Sequence, residues 1–236
     1  MDGRTDGTAM STDPLLERLL ELFREVGPDH RIPSERELSE SWGVSRTALR
    51  SRMRMLEAVG ALERRGAAGS FVRVMAPSDV AAALTIGLSG SELSAPEAFE
   101  PVRVALEREA AKLATEKMSP VPIAYVEEAV LRMEATEDAD ELHRADLDFH
   151  RALFVASGDP ALIFFSEAVA DLIAASVDER GRRMAQLTSD LDEIRKIHRG
   201  ILEAVKSRDP VTAMAAVDDH FDSIRHIRAR MEPALE

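Results

Sequence analysis

The stretch from Pro33 to Arg50 constrains this chain more than any other. It reads Pro33-Ser34-Glu35-Arg36-Glu37-Leu38, then Trp42-Gly43-Val44-Ser45-Arg46-Thr47, and ends on Arg50. Ser34 followed three residues later by Glu37 is a capping-box signature, and acidic residues in the first turn suit a helix N-terminus. Gly43 breaks that helix, and Ser45 caps the next, which runs to about Val59 and stops at Gly60. Leu49, Met53, Leu56 and Val59 are expected on its buried side, leaving Arg46, Arg50 and Arg54 exposed. Cations and a hydroxyl at the exposed start of such a helix suit a duplex major groove, because arginine reaches both phosphate oxygens and guanine edges.

The flanks complete the unit. Leu15, Leu16, Leu19, Leu20, Leu22, Phe23 and Val26 recur at helical spacing before Gly27-Pro28. After Gly60, Ala61–Arg65 and Ser70–Val74 read as two short strands around the glycine-bearing turn Gly66-Ala67-Ala68-Gly69. Three helices and a two-stranded ribbon make a winged helix-turn-helix. Met75–Asp79 reads as a hinge. Beyond it the pattern is helical, with breaks near Gly90, Ser119-Pro120, Gly158-Asp159-Pro160 and Asp209-Pro210.

Charge agrees with this division. The 236 residues carry a net charge of −13, which alone argues against nucleic acid. Residues 1–75, however, hold 12 basic and 12 acidic side chains, leaving 18 basic and 31 acidic ones for the remainder. Seven arginines against Glu57 and Glu63 fall within 46–73, a local cationic face on an acidic molecule. The absence of cysteine excludes disulfides and thiolate metal sites. The polar start, with no signal-peptide core and no apolar run of about 20 residues, sets the expectation of a cytoplasmic protein without membrane contact. Few aromatics and many Leu, Ala and Val favour a mainly α fold.

A second constellation lies further along. Asp146 and His150, four residues apart, share a helix face about 6 Å apart along the axis. His198 and His220 each sit on a later amphipathic helix. If those helices share an interior, one carboxylate and three imidazoles surround a divalent ion, with coordination positions left open. The Asp146–His150 pair equally fits a helical salt bridge. His30 and His226 read as ordinary surface or core residues, and His143 is about 10 Å from His150 along the axis, too far to share an ion.

Residues 31–74 resemble the DNA-binding domain of GntR-type transcription regulators, whose Pro-Ser-Glu-Arg-Glu-Leu, Gly-Val-Ser-Arg-Thr and Gly-Ser-Phe-Val segments are present. The resemblance implies DNA contacts from Arg36, Ser45, Arg46, Thr47 and Arg50, with a wing tip around Arg65 and Gly66 in the minor groove. The two alanines between the tip glycines depart from the usual single residue. An ion pair with Glu40 is the other reading of Arg36. Residues from about 95 to 228 resemble the all-helical FCD effector domain of the FadR branch, through Val102–Glu107, Asp146–Leu153 and Ser157–Pro160. Many such domains bind a metal through one aspartate and three histidines, which Asp146, His150, His198 and His220 match; members that bind acyl-coenzyme A lack the set.

The expected division is a DNA-binding domain at 1–75, a linker and the start of the helical domain at 76–92, and a helical metal and effector domain at 93–230. The oxygen and nitrogen donor set suits zinc first, with nickel, manganese or iron as the other ions, and the resemblance implies a homodimer on near-palindromic operator DNA. The effector would be a small organic acid held on the ion and paired with Arg103; a helical pair between Arg103 and Glu107 is the other reading of that arginine. The function so expected is a repressor that senses a small carboxylate. A purely structural ion, or a hydrolytic metal centre, are the competing readings. No HExxH helix accompanies the histidines, so the chain is expected not to be an enzyme.

Overall fold

The computed structural model describes residues 13–91, 96–170 and 188–231. The polar N-terminal tail expected from the sequence lies outside the described residues. Contacts divide the chain into two compact units, 1–80 and 81–236.

In the first unit, α1 (Pro14–Val26) starts where Asp13 accepts from the amides of Leu15 and Leu16 and Pro14 needs no hydrogen-bond partner. Its Leu19 and Phe23 are buried. The Ser34–Glu37 capping box opens α2 (Glu35–Trp42), and Gly43 closes it in the left-handed region at φ 67°. The side chain of Ser45 caps α3 (Arg46–Ala58) by accepting from the Ala48 amide. Leu49, Met53 and Leu56 are buried together with Leu19, Ile32 and Leu38. Each such side chain contributes about 1.5–3 kcal/mol by leaving water. Val59, expected on the buried side, is instead the C-cap and stays 40% exposed, because the chain turns away at Gly60.

Two strands, β1 (Leu62–Arg64) and β2 (Ser70–Val72), pair antiparallel with Leu62 opposite Val72. Arg31 bridges to Phe71 and adds the segment before α2 to the ribbon. Gly69 has to be glycine: its φ is 103°, and a Cβ there would lie 2.8 Å from Arg31 Nε.

The stretch read as a hinge contains the first turn of α4 (Pro77–Leu88). Asp79 accepts from the Ala76 amide at 2.7 Å and from Arg73 at 3.0 Å, so the helix start is tied to the strand end.

The second unit is wholly helical among its described residues. Its elements are α5 (Glu100–Lys117), α6 (Pro120–Ala135), α7 (Ala139–Ser157), α8 (from 160 to 170), α9 (Thr188–Lys206) and α10 (Pro210–Met231). The breaks expected at Ser119-Pro120, Gly158–Pro160 and Asp209-Pro210 fall between these helices. Helix α5 packs on α7 and α10, and α9 packs on α6 and α10. Fully buried Ala110, Ala111 and Ala114 let neighbours approach α5 closely, and Phe149, Leu153, Ile201 and Leu202 fill the centre.

Two arginines fix the helices that carry His198 and His220. Arg195 donates to the Met133 and Thr136 carbonyls at 3.0 and 2.6 Å, satisfying the end of α6 and anchoring α9 one turn before His198. Arg108 holds Asp218 at 2.6–2.7 Å, tying α5 to α10 two residues before His220.

Candidate metal centre and nucleic-acid interface

His150 on α7, His198 on α9 and His220 on α10 are each buried, and one ring nitrogen from each lies within 4.8 Å of the others. Asp146, one turn before His150, places Oδ1 2.9 Å from His198 Nε2 and 3.6 Å from His150 Nε2. The rings of His198 and His220 meet edge to face at 4.7 Å, with Phe149 against His198 at 4.8 Å and Phe221 against His220 at 5.0 Å. Helical spacing brought Asp146 to His150; only packing of three helices brought in the other two rings.

Three buried imidazoles at this separation could hold a metal ion, and their hydrogen bonds fit that use. His198 Nδ1 donates to the Ile194 carbonyl at 2.7 Å, which in a neutral ring leaves a lone pair at Nε2 facing Asp146. That Nε2 and His220 Nδ1 are buried without a hydrogen-bond partner. Two acceptors facing each other at 2.9 Å repel unless a proton or a cation lies between them. His150 Nδ1 in turn bonds Glu107 Oε2 at 2.9 Å. Histidine ligands to metals donate their second ring nitrogen to a carboxylate or carbonyl in this way. Three imidazoles and a carboxylate fit zinc and other divalent first-row ions.

Electrostatics follow from burial and these partners. Burial pushes the Glu107 carboxyl up, but the charges of His150 and Arg103 and the His150 hydrogen bond outweigh it, holding the group at about 2. Burial pushes His150 down, yet the Glu107 carboxylate outweighs it and raises the ring to about 8. His220 is held well below the ordinary histidine value by burial and by the two neighbouring imidazoles. Burial would raise Asp146, but the neighbouring imidazoles of His150 and His198 outweigh it and keep it well below the usual carboxylate range.

Arg103 reaches this cluster through Glu107, donating from Nε to Oε1 at 2.7 Å. The helical pair considered from sequence therefore forms, but beside the histidines rather than in solvent. Glu107 is the residue that sequence reasoning undervalued: it looked like a solvent partner for Arg103, and spacing carries no sign of its burial. His30 and His226 are exposed, each bonding a nearby backbone carbonyl at 2.8 Å, and His143 stands outside the cluster.

In the first unit, a groove is lined by Arg31, Arg36, Arg46, Arg50, Arg54 and Arg64 around Ser34 and Glu35. Glu35 accepts from Arg50 Nε at 2.9 Å and from Arg64 at 3.2 Å, linking the exposed face of α3 to the ribbon. Glu40 pairs with Arg46 at 3.5 Å rather than with Arg36, which faces the groove. Thr47 is exposed at the start of α3, whereas the Ser45 hydroxyl is engaged as its cap. Arg65 is folded back onto the ribbon, pairing with Glu63 at 2.7 Å and stacking over Phe71 at 4.4 Å, while Gly66 opens the tip turn. Arg31 and Arg64 join the groove only through strand pairing, which their isolated positions in the sequence conceal.

A winged helix-turn-helix with a cationic groove, in one chain with a helical domain that holds a buried histidine cluster, defines a DNA-binding transcription regulator. The model for "Bacterial regulatory proteins, gntR family" matches residues 14–72, and that for the FCD domain matches residues 100–223. The chain belongs to the GntR family, in its branch with an FCD effector domain. It is 30% identical over 214 residues to the HTH-type transcriptional repressor NanR of Edwardsiella tarda, covering 85% of this chain and 78% of that protein. The NanR of Klebsiella aerogenes is 29% identical over 219 residues, covering 88% and 81% respectively. Among solved structures, Streptococcus agalactiae GntR matches with a TM-score of 0.64 at 23% identity, covering 91% of this chain and 98% of that one, a likeness of fold. No helix among the described residues is long and apolar enough to cross a membrane.

Proposed function

We propose that this protein is a metal-dependent cytoplasmic repressor whose operator affinity is set by a small carboxylate bound in the helical domain. Residues 1–75 are the DNA-binding domain, 76–92 the linker and the start of the helical domain, and 93–230 the metal and effector domain. The observation that carries the sensing half is the unpartnered, buried His198 Nε2 facing Asp146 Oδ1 at 2.9 Å. Asp146, His150, His198 and His220 would hold a divalent ion, zinc in the first instance, with nickel, manganese or iron as the other fits to this donor set. Once bound, such an ion would supply a Lewis-acidic centre with open positions for one ligand oxygen. Arg103, held beside it, would pair with the ligand's charge.

On DNA, Arg36, Arg46, Thr47 and Arg50 would read the major groove and its phosphates, with Ser45 fixing the start of α3 and Gly66 at the tip turn. The engagement of Arg65 with Glu63 supports giving α3 the larger share of the contact. A homodimer on paired half-sites multiplies the modest affinity of one small module. The ligand regulates only through its different affinity for the DNA-competent and DNA-released states.

Elemental analysis of the purified protein, followed by thermal unfolding with a panel of small carboxylic acids, tests this reading. A stoichiometric divalent metal and a saturable rise in melting temperature from one acid are expected. Release of a bound operator fragment by the same acid completes the expected result. Metal-free protein that also takes up none when dialysed against zinc, or acids without effect on DNA release, would refute it.

A further inference from the structure

Glu107 is fully buried, and both its oxygens are in use. Oε1 accepts from Arg103 Nε at 2.7 Å and Oε2 from His150 Nδ1 at 2.9 Å. Burying a carboxylate is costly, and its partners offset the cost only where geometry is good. Both partners here belong to the proposed site, one to the ion and one to the ligand.

On the histidine side, a fixed Nδ1–H leaves Nε2 of His150 turned towards Asp146. On the arginine side, Glu107 engages Nε, which sets the orientation of the planar fork of terminal nitrogens. That fork lies 5.4 Å from the ring of Phe221, the neighbour of His220. One carboxylate therefore orients a group on each side of the site.

We propose that Glu107 is a positioning residue that makes metal retention and anion recognition interdependent, by orienting His150 towards the ion and Arg103 towards the ligand through one carboxylate. The inference rests on the metal-dependent reading above. Formal charge supports it: without an ion, Arg103, His150, Glu107 and Asp146 sum to zero or to one negative charge, as His150 does or does not carry its proton, so an anion finds no net attraction. A divalent ion held by neutral imidazoles brings the sum to one positive charge, which suits a single carboxylate. The ligand class so defined is a monoanion, and it binds only after the ion.

Cobalt(II) is the ion probe, because its visible absorption bands report coordination geometry, and acetate is the anion probe. By linkage, acetate should tighten cobalt binding in the wild type by about fivefold or more, measured by chelator competition. In Glu107→Gln, cobalt affinity should fall about 10- to 100-fold, with altered bands and no gain from acetate. Arg103→Gln, a change at a less buried residue, should keep the bands and lose the acetate gain, so it carries the test if the first variant does not fold.

A Glu107 that merely supports the fold would lower the melting temperature of ion-free protein and leave cobalt affinity and bands unchanged, which overturns the proposal. An acetate gain that survives in Arg103→Gln overturns it as well. Wild-type protein that binds no cobalt would instead remove the metal-dependent reading itself, and this inference with it.

Discussion

Replacing His198 by alanine separates a metal ligand from a core residue more cleanly than any other change. The side chain has no exposed surface, donates to the Ile194 carbonyl and packs against Phe149 and His220. Truncation leaves a cavity, so ion-free protein should lose about 2–4 kcal/mol, as for other large-to-small changes in cores. That loss says nothing about metal. The ion-dependent increment does. At free zinc about 100 times the dissociation constant, wild-type protein gains about 2.7 kcal/mol, and a unit the size of residues 81–236 should melt about 5–11 °C higher than under chelator. A variant whose affinity has fallen about 100-fold gains about 0.4 kcal/mol at the same zinc, an increment of about 1–2 °C. Scanning calorimetry with and without chelator reads both quantities, and the two-unit chain should show the increment only in the transition of its helical unit. His226→Ala, at an exposed ring outside the cluster, serves as the control and should keep the full increment. A His198→Ala protein that retains more than half of it would refute the assignment of this ring to the ion.

Arg46 is 58% exposed and pairs only loosely with Glu40, and exposed pairs are worth about 0–1 kcal/mol, so Arg46→Ala should leave melting nearly unchanged. Its affinity for a specific operator should fall by about 1–3 kcal/mol, and unchanged binding in a gel-shift titration would remove it from the interface. For pH, His150 is raised from 6.5 to about 8, so its contribution to ion-free stability is complete below about 6.5 and lost as pH rises through about 8. His220, held well below 6.5, acts oppositely and removes stability as pH falls below 6.5. Chelator-treated protein should therefore be most stable near pH 6.5, while zinc affinity climbs towards pH 8 as the ion displaces the His150 proton. Calorimetry across pH 5 to 9 that shows stability still rising between 7 and 9 would contradict this.

Local signals made the DNA-binding half readable. Asp13, Ser34 and Ser45 cap their helices because short polar side chains compete for orphan amides, and Gly27 and Gly43 end theirs where φ is positive. These are properties of a few adjacent residues. The hinge reading of Met75–Asp79 met a different outcome because Arg73 and the Ala76 amide both close on Asp79, a contact with no periodic trace. Val59 likewise kept the helical period but not the burial, since the turn at Gly60 decides where that face ends.

The sequence alone determined the helix and strand order, the capped recognition helix with its arginines, and the four residue types that suit a divalent ion. Tertiary structure decided which of those residues meet. His150, His198 and His220 come from three helices, and no spacing along the chain records that their rings converge within 4.8 Å. Nor does it record that Glu107 is buried between Arg103 and His150, or that Arg31 and Arg64 join the groove by strand pairing. The physical reason is the range of the forces. Capping and periodicity act within a turn or two of backbone, whereas burial and the pairing of charges depend on which surfaces the whole chain brings together.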